Sequence, residues 1–279
     1  LSSAYYRAAR SDGSETDFPG YEKFDFSHPL GQWPLQMNIF MEPSRMRKYI
    51  QIASRTTSLL MKPGGFNQIA RRLRTMALER YYGIETNKVV YLSELALDHA
   101  ERREYAPVDF NDFDTLLARL TVTKEQNIFI DFGSGMGRAL VLAARAPFKK
   151  VIGIELSDDL NDIARKNISR AMPRLRCRNI EVVSIDATEA EFPNDPTVMF
   201  FNNPFSGEIL DRVLQNIRRS HSLNPRSITI VCNLPAKSAF YEQISKVEWL
   251  DHKESMTLSQ GARIGLIYEV KQRGRGLAA

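Results

Sequence analysis

The stretch from Phe129 to Leu140, Phe-Ile-Asp-Phe-Gly-Ser-Gly-Met-Gly-Arg-Ala-Leu, constrains the fold more than any other part of the chain. Ile128, Phe129 and Ile130 form a short apolar run suited to a buried parallel strand. Asp131 closes the strand, and Gly133, Gly135 and Gly137 follow at every second position. Leu140 to Ala144 then supply the small and apolar faces of a helix. Glycines so spaced let backbone approach a ligand and adopt positive φ. The carboxyl end of a strand feeding a helix N-terminus is where open α/β sheets bind cofactors.

The spacing separates two cofactors. A dinucleotide-binding turn of the form Gly-x-Gly-x-x-Gly needs its third glycine at position 138. Position 138 is Arg, and Gly137 arrives one residue early. The resulting Asp-x-Gly-x-Gly-x-Gly resembles motif I of the class I S-adenosyl-L-methionine (SAM) methyltransferases. An ordinary tight strand-to-helix turn has the same look, so the downstream chain must decide.

From residue 127 onward strands and helices alternate. Strands are expected at 127–132, 151–155, 180–184, 197–201 and 227–232, and helices at 137–146, 158–171, 207–221 and 236–245. A terminal hairpin of 246–252 and 263–270 follows. Alternation of this kind gives a parallel sheet. The fold class expected is α/β: a doubly wound, mostly parallel seven-strand sheet with a terminal antiparallel hairpin and a helical N-terminal extension. A helix before the first strand, with Phe110, Phe113, Leu116, Leu117 and Leu120 on one face, follows Tyr105-Ala106-Pro107.

Acidic residues recur where the binding crevice of such a sheet lies. Asp131 can support the ammonium of SAM. Glu155, 18 residues after Gly137, sits near the ~20-residue spacing of a ribose-binding acid. Its carboxylate can accept from both ribose hydroxyls. After the third strand, Asp186 can accept from the adenine amino group and the Ala187 N–H can face the ring. Singly, these acids could be turn caps or surface residues; their joint order at successive strand ends is what favours SAM.

Residues from about 105 to 270 resemble the class I SAM-dependent methyltransferases. Tyr105-x-Pro107 followed by Asp131-Phe-Gly-Ser-Gly-Met-Gly-Arg138 is similar to the seven-strand protein-lysine methyltransferases of the Dot1 and ATP-synthase-c-subunit type. It is also similar to bacterial methyltransferases with Asn-Pro-Phe after the fourth strand. The resemblance implies a cofactor set of Tyr105, Asp131, Gly133, Ser134, Gly135, Gly137, Glu155, Leu156, Asp186, Ala187 and Asn202. The expected cofactor is S-adenosyl-L-methionine.

Asn202-Asn203-Pro204-Phe205 marks the acceptor side. It resembles the (Asp/Asn)-Pro-Pro-(Tyr/Phe) motif of enzymes that methylate planar nitrogens, but Asn203 stands in place of a proline. Register on Phe205 makes Asn202 the amine-holding residue, and register on Asn-Pro makes it Asn203. A helix-capping asparagine is the simpler alternative. His99, His221 and His252 are candidate bases by chemistry alone, and no metal-ligand spacing is visible.

Three organisational segments are expected: an irregular arm over 1–40, a basic helical extension over 41–104 and a SAM-binding domain over 105–279. The arm carries the turn signals Asp12-Gly13, Pro19-Gly20 and His28-Pro29. Residues 42–80 hold nine Arg or Lys residues against Glu42 and Glu79, in a chain whose net charge is +5. That excess suits an anionic partner such as RNA or an acidic protein, or a solvated face. Pro63-Gly64-Gly65 divides the segment into two helices, the second with Ile69, Leu73, Met76, Ala77 and Tyr81 as its apolar face. With 43% hydrophobic and 25% charged residues, no membrane span and only Cys177 and Cys232, the expectation is a cytoplasmic enzyme without a disulfide framework or metal. The acceptor expected is a protein or small molecule, with RNA as an alternative through the basic helices. A non-catalytic SAM- or nucleotide-binding subunit is the alternative from another class.

Overall fold

A computed structural model describes residues 65–89 and 102–271. The expected arm, the first basic helix, His99 and the residues after Lys271 lie outside these.

The central strands are those whose sequence is mostly apolar, with Asp131 in β1 and Thr197 in β4 as the buried polar exceptions. β1 (Ile128–Phe132) and β4 (Thr197–Phe201) are buried at every position, as strands covered on both faces must be. They lie in one seven-stranded sheet with β2 (Lys150–Glu155), β3 (Ile180–Ser184), β5 (Ile228–Pro235), β6 (Leu250–Leu258) and β7 (Arg263–Val270). The order is β3-β2-β1-β4-β5-β7-β6. β1 to β5 pair in parallel, and β7 runs antiparallel between β5 and β6. The expected architecture is therefore present. The strand order turns back between β1 and β4, so the segments leaving these two strands part there and open a crevice.

Helices cover both faces. α1 (Gly65–Tyr82), α2 (Phe110–Ala118) and α3 (Arg138–Ala144) contribute to one apolar cluster, together with part of α4 (Asp158–Ala171). α5 (Gly207–Leu223) and α6 (Ala239–Ile244) contribute to the other. Aromatic rings knit the centre: Phe132 and Phe201 stack with centroids 4.5 Å apart, and Phe113 meets Phe200 edge-on at 5.3 Å. α3 is buried at all of its positions. Its small residues let it lie close to the sheet, and its N-cap Gly137 takes φ 82° against Ala164 of α4.

Two expectations need correction. The hairpin's first strand is Leu250–Leu258, not 246–252. It is an edge strand of alternating, largely charged residues with a bulge between His252 and Glu254, a composition that blunts an edge but hides a strand in sequence. The apolar stripe expected to bury α1 faces outward: Leu73, Met76 and Tyr81 are 61, 62 and 57% exposed. α1 packs through Leu78 and Tyr82 and is also anchored by charge. Arg71 lies 3.5 Å from Asp112, and Arg74 lies 3.0 Å from Asp114. Glu79 lies 3.0 Å from Arg138. Among the described residues, no helix is long and apolar enough to cross a membrane.

Candidate active site

A cleft opens at the carboxyl ends of β1, β2 and β4. Glu155 and Leu156 form one wall, Asp186 and Ala187 another, and Asn202 to Phe205 a third. The segment from Arg102 to Ala106 closes the mouth. It is fastened along the β4 exit: the Arg103 N–H donates to the Pro204 carbonyl at 3.1 Å, and Arg102 forms an antiparallel bridge with Phe205.

The glycine turn borders this cleft at Gly133. Four of its amides are engaged within the fold. The Gly133 and Ser134 N–H groups donate to the Ile154 carbonyl, Gly137 N–H donates to the Ser134 carbonyl, and Gly135 N–H donates to Glu155 Oε2 at 2.9 Å. A phosphate-binding turn offers N–H groups to its anion. This one has those donors occupied and an acid, Asp131, beneath it, which is a polarity suited to a cation. Asp131 is 3% exposed. Burial, and then the Glu155 charge, push its carboxyl well above the usual range.

Glu155 accepts from Gly135 N–H through one oxygen and from Ser157 N–H, at 3.0 Å, through the other. Each carboxylate oxygen retains capacity for a further donor. Burial raises its pKa, while these amides and Arg102 oppose the rise. Asp186 caps the 3₁₀ turn Ala187–Glu189, accepting from the Thr188 N–H at 2.9 Å and hydroxyl at 2.7 Å. Its other oxygen takes Arg102 Nη2 at 3.0 Å. Burial acts upward on Asp186, but the Thr188 and Arg102 contacts outweigh it and leave the pKa lowered.

Of the residues expected at the cofactor, Tyr105, Gly133, Glu155, Leu156, Asp186, Ala187 and Asn202 line the cleft. Ser134 turns elsewhere. Its hydroxyl is buried without a partner, against the space where Gly153 lacks a side chain. Gly137 serves the α3–α4 contact, and Gly135 lies beneath Tyr105. A Cβ on Gly135 would come 2.1 Å from Tyr105 Cδ2.

On the acceptor side the two asparagines differ. Asn202 Nδ2 donates to the Ala106 carbonyl at 2.9 Å, and its Oδ1 accepts from Arg263 Nη2 at 3.0 Å. Asn203 takes φ 57°, the left-handed region that asparagine tolerates, in the cleft wall. Phe205 is 6% exposed and edge-packed on Phe201. Neither His221, buried in the last turn of α5, nor His252, which bonds Ser255 on β6, lines the cleft.

Sequence reasoning missed three residues. Arg263 holds Asn202 from β7 while bonding Asn233 Oδ1 at 2.7 Å. Arg138, read only as an argument against a dinucleotide, is 4% exposed beneath the turn and lies over the Phe110 ring at 4.9 Å. Its Nη2 reaches Glu79 at 3.0 Å. A signal existed: Arg138 opens an otherwise apolar helix, and Glu79 is the single acid of α1.

The family model "Histone methylation protein DOT1" matches residues 100–219, a span that includes the turn, Glu155, Asp186 and Asn202 to Phe205. The search of curated proteins finds no match. Similar solved structures include an RNA methyltransferase from Salinibacter ruber in complex with S-adenosyl-L-homocysteine, with 21% identity, 60% of this chain and 95% of that one covered, and TM-score 0.44. Another is a SAM-dependent methyltransferase from Aquifex aeolicus, at 14% identity, 57% and 90% coverage and TM-score 0.45. Magnesium protoporphyrin IX methyltransferase from Synechocystis, with bound SAM, is similar at 14% identity, 58% and 79% coverage and TM-score 0.42.

Proposed function

We propose that the chain, a Rossmann-like SAM-dependent methyltransferase, methylates nitrogen in an amine of a protein or small molecule, with Asn203 at the acceptor. The carrying observation is the division between the asparagines. Both asparagines line the cleft, but the Asn202 amide is already held by Ala106 and Arg263, whereas Asn203 takes the left-handed backbone beside Pro204, which packs on Gly133. Phe205 is already covered by Phe201, so a sandwich around a flat base has less support than an amine held by amide and carbonyl oxygens. Arg71 and Arg74 of α1 pair with Asp109, Asp112 and Asp114, so these two cations are engaged within the fold.

The residues present suit SAM. Among the described residues no cation pairs with the buried Asp131, which lies outside the cleft lining and would suit the ammonium; Glu155 has acceptor capacity for the ribose; Asp186 and Ala187 would border the adenine end. When bound, SAM supplies a methyl carbon on a sulfonium, whose departing thioether is neutral and needs no proton. The chain's own work is alignment and exclusion of water. The mouth segment from Arg102 to Ala106 does the excluding, and the Asn202–Arg263 pair holds that segment through Ala106. Burial drives the Tyr105 phenol strongly upward, so it stays protonated and donates to the Thr86 carbonyl at 3.1 Å.

The raised pKa of Asp131 gives a pH signature. In the free protein its carboxyl keeps a proton to higher pH than usual; a bound cation favours the carboxylate. SAM affinity should therefore rise with pH through the raised Asp131 pKa, with net proton release. Asp131→Asn should remove both effects. Calorimetry at several pH values in two buffers of different ionisation enthalpy reads this, and proton uptake on binding would contradict it.

Asn203→Ala should leave SAM affinity within about twofold while lowering turnover about ten- to a hundredfold, the loss of one charge-assisted hydrogen bond. The assay is tritiated-methyl transfer from SAM into a cell lysate, separated into protein, RNA and small-molecule fractions. Label in RNA would overturn the acceptor class. SAM binding without transfer would favour a non-catalytic SAM-binding subunit.

A further inference from the structure

We propose that Glu79, on the helix preceding the sheet, is a positioning residue for cofactor binding: acting through Thr86, it holds the Tyr105 ring on the glycine turn. The inference rests on the reading that SAM occupies the cleft beside that turn.

Glu79 Oε1 receives three donors. Arg138 Nη2 reaches it at 3.0 Å, the Thr86 N–H at 2.9 Å and the Thr86 hydroxyl at 2.7 Å. Thr86 is 0% exposed and serves as the hub. Its hydroxyl oxygen also accepts from Arg138 Nε at 2.7 Å, and its carbonyl accepts from the Tyr105 hydroxyl at 3.1 Å. Arg138 adds a donor to the Val108 carbonyl at 3.0 Å, which fixes the backbone between Tyr105 and α2. The far end of this chain is the Tyr105 ring, whose Cδ2 and Cε2 lie 2.1 and 2.3 Å from the position a Cβ on Gly135 would occupy. Gly135 in turn donates to Glu155.

Buried charges require partners. Arg138 opens the fully buried helix α3 immediately after the turn, and Glu79 is the acid that makes this cation tolerable. The same carboxylate orients Thr86, so one charge from α1 sets both the base of the turn and the ring above it. A carboxylate serving only packing would have no reason to reach the ring. The link through the Thr86 backbone gives it one, because a displaced Thr86 carbonyl removes the partner of a buried phenol. α1 is thereby part of the cofactor site although none of its residues lines the cleft.

The test is a double-mutant cycle read by calorimetric SAM titration and by thermal unfolding of the unliganded protein. Tyr105→Phe keeps the ring and removes only its hydrogen bond to Thr86. Glu79→Gln keeps the shape and removes the charge. Each should weaken SAM binding about fivefold, the effect of one net hydrogen bond. The double variant should be no weaker than the weaker single, because both act on one link. Multiplying effects in the double variant would overturn the route through Thr86. A lowered melting temperature with unchanged SAM affinity would reduce Glu79 to a structural role and overturn the proposal. If Glu79→Gln does not fold, Tyr105→Phe decides alone, and unchanged affinity overturns it. Wild-type protein that fails to bind SAM would overturn the underlying cofactor reading and this inference with it.

Discussion

Gly135→Ala is expected to abolish measurable SAM binding and to lower stability by about 3 kcal/mol or more. Two costs combine. Gly135 takes φ +52°, where an L side chain costs roughly 1–2 kcal/mol. The added methyl would also lie 2.1 Å from Tyr105 Cδ2, and such overpacking costs about 1–3 kcal/mol. Relief requires the ring to leave the turn, which breaks its bond to Thr86, or the turn to leave the ring, which breaks the bond from Gly135 N–H to Glu155. Either movement disturbs the site. Gly261→Ala is the control: its φ is +94° with nothing within 4 Å of the added Cβ. It should show the backbone strain without the loss of binding. Thermal unfolding and calorimetric titration of both variants measure the contrast, and equal behaviour of the two would contradict it.

Glu155→Ala should weaken SAM binding about a hundredfold or more. The estimate takes two hydrogen bonds to a charged acceptor at roughly 1.5–3 kcal/mol each. The variant also leaves the Gly135 and Ser157 N–H groups without their present partner, so the turn should loosen. Glu155→Gln separates the contributions. It retains one acceptor oxygen and should fall between wild type and alanine. Because the Glu155 charge raises the Asp131 pKa, either substitution should also move the pH dependence of binding downward. Retained affinity in Glu155→Ala would remove this residue from the ribose role.

The parts of the fold legible in sequence are those where local pattern and tertiary environment agree. The runs at 128–130 and 198–201 are apolar because both faces are covered, and the turn at 133–137 shows itself because positive φ and close approach demand glycine. Glu155 was found by its distance from that turn. The orientation of α1 was not legible. Its periodic apolar residues Leu73, Met76 and Tyr81 are exposed, while Arg71 and Glu79 face partners far along the chain, Asp112 and Arg138. Periodicity reports what a helix could bury, and here Leu78 and Tyr82, together with ion pairs to residues on α2 and α3, mark the face that it does bury. β6 was misplaced because an edge strand carries charge where a central one carries aliphatic residues. Arg263 was invisible for a related reason: its bonds to Asn202 and Asn233 arise only when β7 inserts beside β5. Tyr82 and Ile84, which precede the expected boundary at residue 105, share the buried cluster of α2 and α3.

Among the acids at the strand ends, Asp186 shows where reading a role from position falls short. Its placement beside the cleft matches the expectation, but its oxygens already cap Thr188 and pair with Arg102. Arg102 thus links the mouth segment to the Asp186 wall of the cleft.

The central claim is that this cleft takes a cationic methyl donor and not a dinucleotide. Titration of the wild-type protein with SAM, S-adenosylhomocysteine and NAD in one calorimeter tests it most directly. Saturable binding of SAM and S-adenosylhomocysteine with no heat from NAD is the result expected from a turn whose amides are engaged and whose acid lies beneath it. Binding of NAD without SAM would contradict the account.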